Sequence, residues 1–139
     1  MVVYADFECP YCAALELRLV ELELRVVFRH FPVRSSHPRA WPAARAAEAA
    51  AAQGQFWAFH DALFAEQGRL EDPHLWGRAQ RLGLDVERFD ADRRSTPVEE
   101  RIAADFRSGV RAGVATTPTL FIDGERHSGR PEPGVLEGL

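Results

Sequence analysis

The only two cysteines of this 139-residue chain stand three positions apart, in Cys9-Pro10-Tyr11-Cys12. A pair at that spacing can open and close a disulfide, supply half of a zinc site, or sit buried and inert. Zinc needs two further ligands, and His30, His37, His60, His74 and His127 show none of the close pairing such sites use. No metal or other cofactor is expected. The local context favours redox chemistry. Val2, Val3 and Tyr4 are strand formers that end just before the motif, and Pro10 suits the first turn of a helix. At a strand-to-helix turn, unpaired backbone N–H groups and the positive end of the helix dipole stabilise a thiolate at Cys9. Cys12, one turn further on, can then resolve a mixed disulfide formed at Cys9.

The elements that must hold this turn follow from periodicity. Leu15, Leu19 and Leu22 carry a helical spacing from Cys9 to about Val20, and Leu22, Leu24, Val26 and Phe28 alternate, which predicts a strand over Arg25–Phe31 ended by Pro32. No Gly, Asn or Pro marks the junction between them. After the loop Ser35-Ser36-His37-Pro38 the pattern is helical from Trp41 onward: an Ala-rich segment from Ala43 to Gln53, then an aromatic face of Phe56, Trp57, Phe59, His60, Leu63 and Phe64. A helix opens at Asp72-Pro73, a short one contains Val86 and Phe89, and Thr96-Pro97-Val98-Glu99 has capping-box spacing ahead of Ile102, Ala103, Phe106 and Val110. Gly113 ends that helix. Thr119–Ile122 and Arg126–Ser128 read as strands joined by a tight Asp123-Gly124 turn, and Glu132–Leu139 as a short final helix. The result is an α/β chain with a large helical block between Val33 and Pro118, far longer than the roughly 30 residues a βαβ unit needs.

A second feature joins the cysteines. Thr116-Thr117-Pro118-Thr119 opens a strand with Pro at its first position, where an X-Pro bond can be cis. The segments Tyr4–Cys12, Phe28–Pro32, Phe56–Phe64 and Thr116–Gly124 together resemble the DsbA-like branch of the thioredoxin superfamily. The resemblance covers almost the whole chain and is greatest to small DsbA-like domains that stand alone or are fused to sodium/proton antiporters. It implies a single domain: a thioredoxin-like core sheet from residues 1–33 and 114–139, with a helical insertion over 38–113. It also implies that Cys9 attacks, that Cys12 resolves, and that Pro118 is a cis-proline facing the pair. Thr117 would bind an extended substrate through its backbone, with Pro10 and Tyr11 on the substrate-facing surface. Where many relatives bury an acid six residues before the first cysteine, this chain has Val3; Asp6 and Glu8 are nearer and read as helix caps in preference to a general base.

These residues point to a thiol-disulfide oxidoreductase acting on protein or peptide thiols and disulfides, regenerated by a separate redox partner. A glutaredoxin-type reductase shares the Cys-Pro-Tyr-Cys and Thr-Pro motifs but has no room for the helical block. A redox-sensing binding module, attached to a transporter or complex, is the alternative from another class. A formal net charge of −4 disfavours nucleic acid as a partner. All 17 basic side chains are Arg and Asn is absent as well, which fits codon bias better than phosphate recognition. No stretch is long and apolar enough for a membrane span. Without a secretory signal at Met1-Val2-Val3-Tyr4 the chain reads as cytoplasmic, or extracytoplasmic if a leader has been removed. The remaining candidates read as structural: His30 as a packed or edge residue, His37 as part of a turn, and Trp41, Trp57 and Trp76 as core, with Phe56 or Trp57 able to line a groove. Gly109 and Gly113 suggest close helix packing.

Overall fold

The computed structural model describes all 139 residues. Strand β1 (Val2–Ala5) leads through helix α1 (Pro10–Glu21) to β2 (Val27–His30), which pairs parallel to β1. Strands β3 (Thr119–Ile122) and β4 (Glu125–Ser128) form an antiparallel hairpin that completes the sheet in the order β2-β1-β3-β4. The hairpin turn needs left-handed backbone at both central positions, and Asp123 (φ 50) and Gly124 (φ 81) supply it. Val3, at the centre of β1, is flanked in register by Phe28 and Leu120, and all three are buried. The C-terminal end of this central strand delivers the chain to the cysteine turn.

Between β2 and β3 lie five helices: α2 (Ala40–Ala51), α3 (Phe56–Ala65), α4 (Asp72–Arg81), α5 (Val86–Arg93) and α6 (Thr96–Arg111). Helix α2 packs against each of the other four, and every one of its fully buried residues is alanine. The aromatic face of α3 divides between two neighbours. Phe59 meets Phe89 of α5 at 5.5 Å, whereas Phe56, His60 and Phe64 close over Phe7 and Phe28 of the sheet layer. Arg78, fully buried, donates to the carbonyls of Ala62, Glu66, Arg69 and His74, so it satisfies the C-terminal end of α3 and the loop beyond it.

The structure departs from the sequence reading in several places. The strand expected over Arg25–Phe31 is only Val27–His30. Helix α1 ends in a Schellman motif whose left-handed residue is Glu23 (φ 54), with Leu24 N–H bonded to the Leu19 carbonyl, so no Gly marks the boundary. At α6 the cap is Ser95, which accepts from Val98 N–H at 3.4 Å, and Thr96 is already helical. Glu99 does not reach back to complete a capping box: it accepts from Trp41 Nε1 and Arg45 Nε. No regular helix forms over Glu132–Leu139. Pro131, Pro133 and a left-handed Gly134 (φ 88) break the segment into turns, pinned by buried Leu136. Trp57 and Trp76 are not core residues; they are 49% and 37% exposed.

Candidate active site

Cys9 is the N-cap of α1, with extended backbone (φ −80, ψ 120) and no side chain capping the helix. Its carbonyl begins the helical ladder by accepting from Ala13 N–H at 3.2 Å. Both cysteines are free thiols, Cys9 nearly and Cys12 wholly buried. The Cys9 thiol donates to the Thr117 carbonyl at 3.6 Å across the site, and the bond between Thr117 and Pro118 is cis. Thr117 and Pro118 are both buried, so their loop is packed against the cysteines. On the inner side, Asp6 N–H donates to Cys12 Sγ at 3.5 Å.

This arrangement separates the two thiols electrostatically. A hydrogen bond from the Cys12 thiol lowers the Cys9 pKa most, burial opposes it, and bonds from the Thr117 side chain and the Cys12 and Tyr11 N–H groups assist, bringing Cys9 to about 6. Burial and its hydrogen bond with Cys9 push Cys12 far above the ordinary thiol value. This tuning favours a thiolate at Cys9 and a protonated thiol at Cys12 near neutral pH.

Asp6 and Glu8, expected as caps of the active-site helix, do something else. The Asp6 carboxylate is buried and accepts from Glu8 N–H at 2.8 Å, Val33 N–H at 2.8 Å and His37 Nδ1 at 2.9 Å. Glu8 accepts from Arg39 N–H at 2.9 Å, at the entrance to α2. Their oxygens tie the cysteine turn to the loop after β2, and His37 is thus an ion-pair partner as well as a loop residue. Gln67 was not foreseen from sequence: its amide donates to the carbonyls of Phe7 and Cys9, both at 2.9 Å. His30 is buried, as expected of a packed residue, with Nε2 2.7 Å from Glu48.

Pro10 and Tyr11 lie on the exposed rim, Tyr11 at 59% exposure, with the Arg130 guanidinium 6.0 Å from its ring. A groove beside them is lined by Tyr11, Leu15, Arg130, Pro131, Pro133 and Leu136. Trp57 lines a different groove, between α1 and α3.

Comparison with known proteins follows the same lines. The family model described as thioredoxin matches residues 1–138. The Na(+)/H(+) antiporter NhaA 1 of Salinispora arenicola is 47% identical over a gapped alignment of 137 residues that covers 93% of this chain and 21% of that protein. The Na(+)/H(+) antiporter NhaA of Herminiimonas arsenicoxydans is 47% identical over a gapped alignment of 147 residues that covers 99% of this chain and 23% of that protein. The chain thus spans about a fifth of the length of the curated relatives it matches. Among solved structures, a thioredoxin-like oxidoreductase from Silicibacter pomeroyi DSS-3 superimposes with a TM-score of 0.87 at 29% identity, covering 99% of this chain and 81% of its own. The thiol-disulfide exchange protein alpha-DsbA2 from Wolbachia pipientis, at 22% identity, shares the fold with a TM-score of 0.87 over 99% of this chain and 77% of its own. With the match running through sheet, cysteine turn and helical block alike, the chain belongs to the thioredoxin family and shares the fold of DsbA-like structures.

Proposed function

We propose that the chain is a thiol-disulfide oxidoreductase that exchanges disulfides with protein or peptide cysteines through a mixed disulfide at Cys9, resolved by Cys12. The observation that carries this reading is the placement of two free thiols one helical turn apart, Cys9 as the N-cap of α1 facing the Thr117 carbonyl and Cys12 fully buried behind it. In the reducing direction, the Cys9 thiolate attacks a substrate disulfide and one substrate sulfur leaves. Cys12 then attacks Cys9, the Cys9–Cys12 disulfide forms and the second substrate sulfur departs. Run backwards, the same steps donate a disulfide. The carbonyl of Thr117 faces the Cys9 sulfur, and an extended peptide laid against that loop would gain main-chain hydrogen bonds.

A Cys9 pKa of about 6 lies between the roughly 7 of thioredoxin and the roughly 3.5 of strongly oxidising relatives, which predicts a reduction potential between their extremes of about −270 and −120 mV. Cys9→Ser is expected to abolish insulin reduction and oxidative refolding of ribonuclease, and Cys12→Ser to accumulate mixed disulfides visible on non-reducing gels. Undiminished activity in Cys9→Ser overturns the reading. A redox-responsive module attached to a transporter is the second reading, favoured by antiporter relatives of which this chain spans about a fifth. It predicts a titratable cysteine couple with negligible turnover on protein substrates.

A further inference from the structure

Thiol exchange at this site leaves one proton without an evident route. Cys12 is fully buried, yet its proton must leave when it attacks and return when it is the leaving group. Val3, inward on the central strand, offers no acceptor. Three carboxylates are buried: Asp6, Glu16 and Asp105. Asp6 has both oxygens engaged, by Glu8 N–H on one side and by Val33 N–H and His37 on the other. Asp105 accepts from His30 N–H with one oxygen and faces Arg101 at 3.7 Å with the other. Glu16 alone retains a buried oxygen, Oε1, with no partner.

Glu16 follows Cys12 by one turn on the buried face of α1, in company with Leu15 and Leu19. Side chains on a helix lean toward its N-terminus, so a residue at i+4 reaches back over the turn that carries residue i. The second oxygen, Oε2, lies 3.1 Å from His60 Nε2, a close ion-pair approach without hydrogen-bond alignment, and the other ring nitrogen of His60 is hydrogen-bonded to Asp61 Oδ1 at 2.8 Å. Glu16 and His60 are buried, whereas the Asp61 side chain is 65% exposed. The three groups thus run from the buried face of α1, one turn after Cys12, to solvent. Arg25 is the one other charged side chain lining the grooves that flank them, and Phe7, Phe28, Phe56, Trp57 and Phe64 close the rest of the His60 ring. Burial disfavours the imidazolium, but the flanking carboxylates of Glu16 and Asp61 outweigh it and raise the His60 pKa above its ordinary value.

We propose that Glu16, His60 and Asp61 form the proton path of Cys12; the proposal rests on the thiol-exchange reading above. In the resolving direction the Cys12 S–H bond breaks and its proton passes to Glu16. The sulfur electron pair forms the Cys12–Cys9 bond, the bond between Cys9 and the substrate sulfur breaks, and the substrate leaves as thiolate. The proton moves on through His60 and Asp61 to water. In the disulfide-donating direction the path runs inward and protonates Cys12 as it departs from Cys9.

Rapid mixing of the reduced chain with dithiobis(nitrobenzoate) separates the two thiols, because Cys9 attack releases one coloured thiolate and Cys12 attack on the resulting mixed disulfide releases a second. Glu16→Gln is expected to slow the second phase about ten- to a hundredfold near neutral pH while the first stays within about twofold, since a general acid–base group contributes at least that much. At about pH 10, where hydroxide takes the proton directly, the two proteins should converge. Asp61→Asn, at a side chain 65% exposed, should slow the second phase over the same pH range by a smaller factor, and decides the matter alone if Glu16→Gln does not fold. Second phases unchanged in both variants, or a deficit that persists undiminished in alkali, overturn the proposal. Failure of the wild type to reduce insulin while both phases are seen would count against the protein-substrate reading and leave the path standing.

Discussion

The chemistry of the site resides in a few hydrogen bonds to two sulfur atoms. Because the Cys12 thiol is the largest influence on Cys9, Cys12→Ala should move the Cys9 thiolate midpoint up from about 6, as read by ultraviolet thiolate absorbance, and Cys12→Ser should move it less. A depressed thiol stabilises the reduced fold most above the ordinary thiol value of about 8.5 and loses that contribution as pH falls through about 6. The stability advantage of the reduced protein over Cys9→Ser in urea should therefore shrink across that window. His37 has the opposite sign. Burial pulls its pKa down, but the bond to Asp6 and the charges of Asp6, Cys9 and Glu8 raise it overall. Its contribution is present below about pH 6.5 and disappears as pH rises through the raised value. His37→Ala should accordingly cost more stability in urea unfolding at acid than at alkaline pH, its partner Asp6 being buried and His37 only 25% exposed.

At the scale of elements, α6 meets the sheet through Gly109, where an added Cβ would stand 2.7 Å and 2.8 Å from Phe31 ring carbons and 3.0 Å from Tyr4. Phe31 cannot yield easily, being stacked on Phe106 at 4.4 Å and set edge-on to Tyr4. Gly109→Ala should thus destabilise by about 1 to 2 kcal/mol in thermal or urea unfolding, overpacking outweighing the gain in helix propensity. The same helix shows what a sequence can and cannot disclose. Gly113 (φ 84) ends α6 in the way its residue type announces, whereas α1 stops at a left-handed Glu23 that no pattern marks. Order and type of the strands and helices were legible because apolar periodicity and Pro-Gly punctuation agree along most of the chain. The terminal segment misled because its length suggests a helix while Pro133 and Gly134 forbid one. Within the site, Cys9, Cys12 and the Thr117-Pro118 pair stand out by motif. Gln67 and His37 do not, since their roles depend on loops meeting across long sequence separations. Glu16 left one usable trace: a carboxylate adjoining the apolar stripe of α1, one turn below a cysteine.

For the whole molecule, the decisive junction is between the helical block and the cysteine turn, made by Gln67 from one side and by Glu8 on Arg39 from the other. Buried Arg78 holds the loop that presents Gln67. Removing the amide with Gln67→Ala deletes two hydrogen bonds, which predicts a loss of about 1 to 2 kcal/mol in unfolding free energy and faster hydrogen exchange at the turn than at β1. The centre of the same block carries a different consequence. Since each fully buried residue of α2 ends in a single methyl group, truncation to a smaller core is nearly closed to this helix, and any enlargement must push four neighbouring helices apart. Sequence drift there is one-sided, and the alanines act as spacers that set how far the loops bearing Arg39 and Gln67 stand from the sulfur atoms.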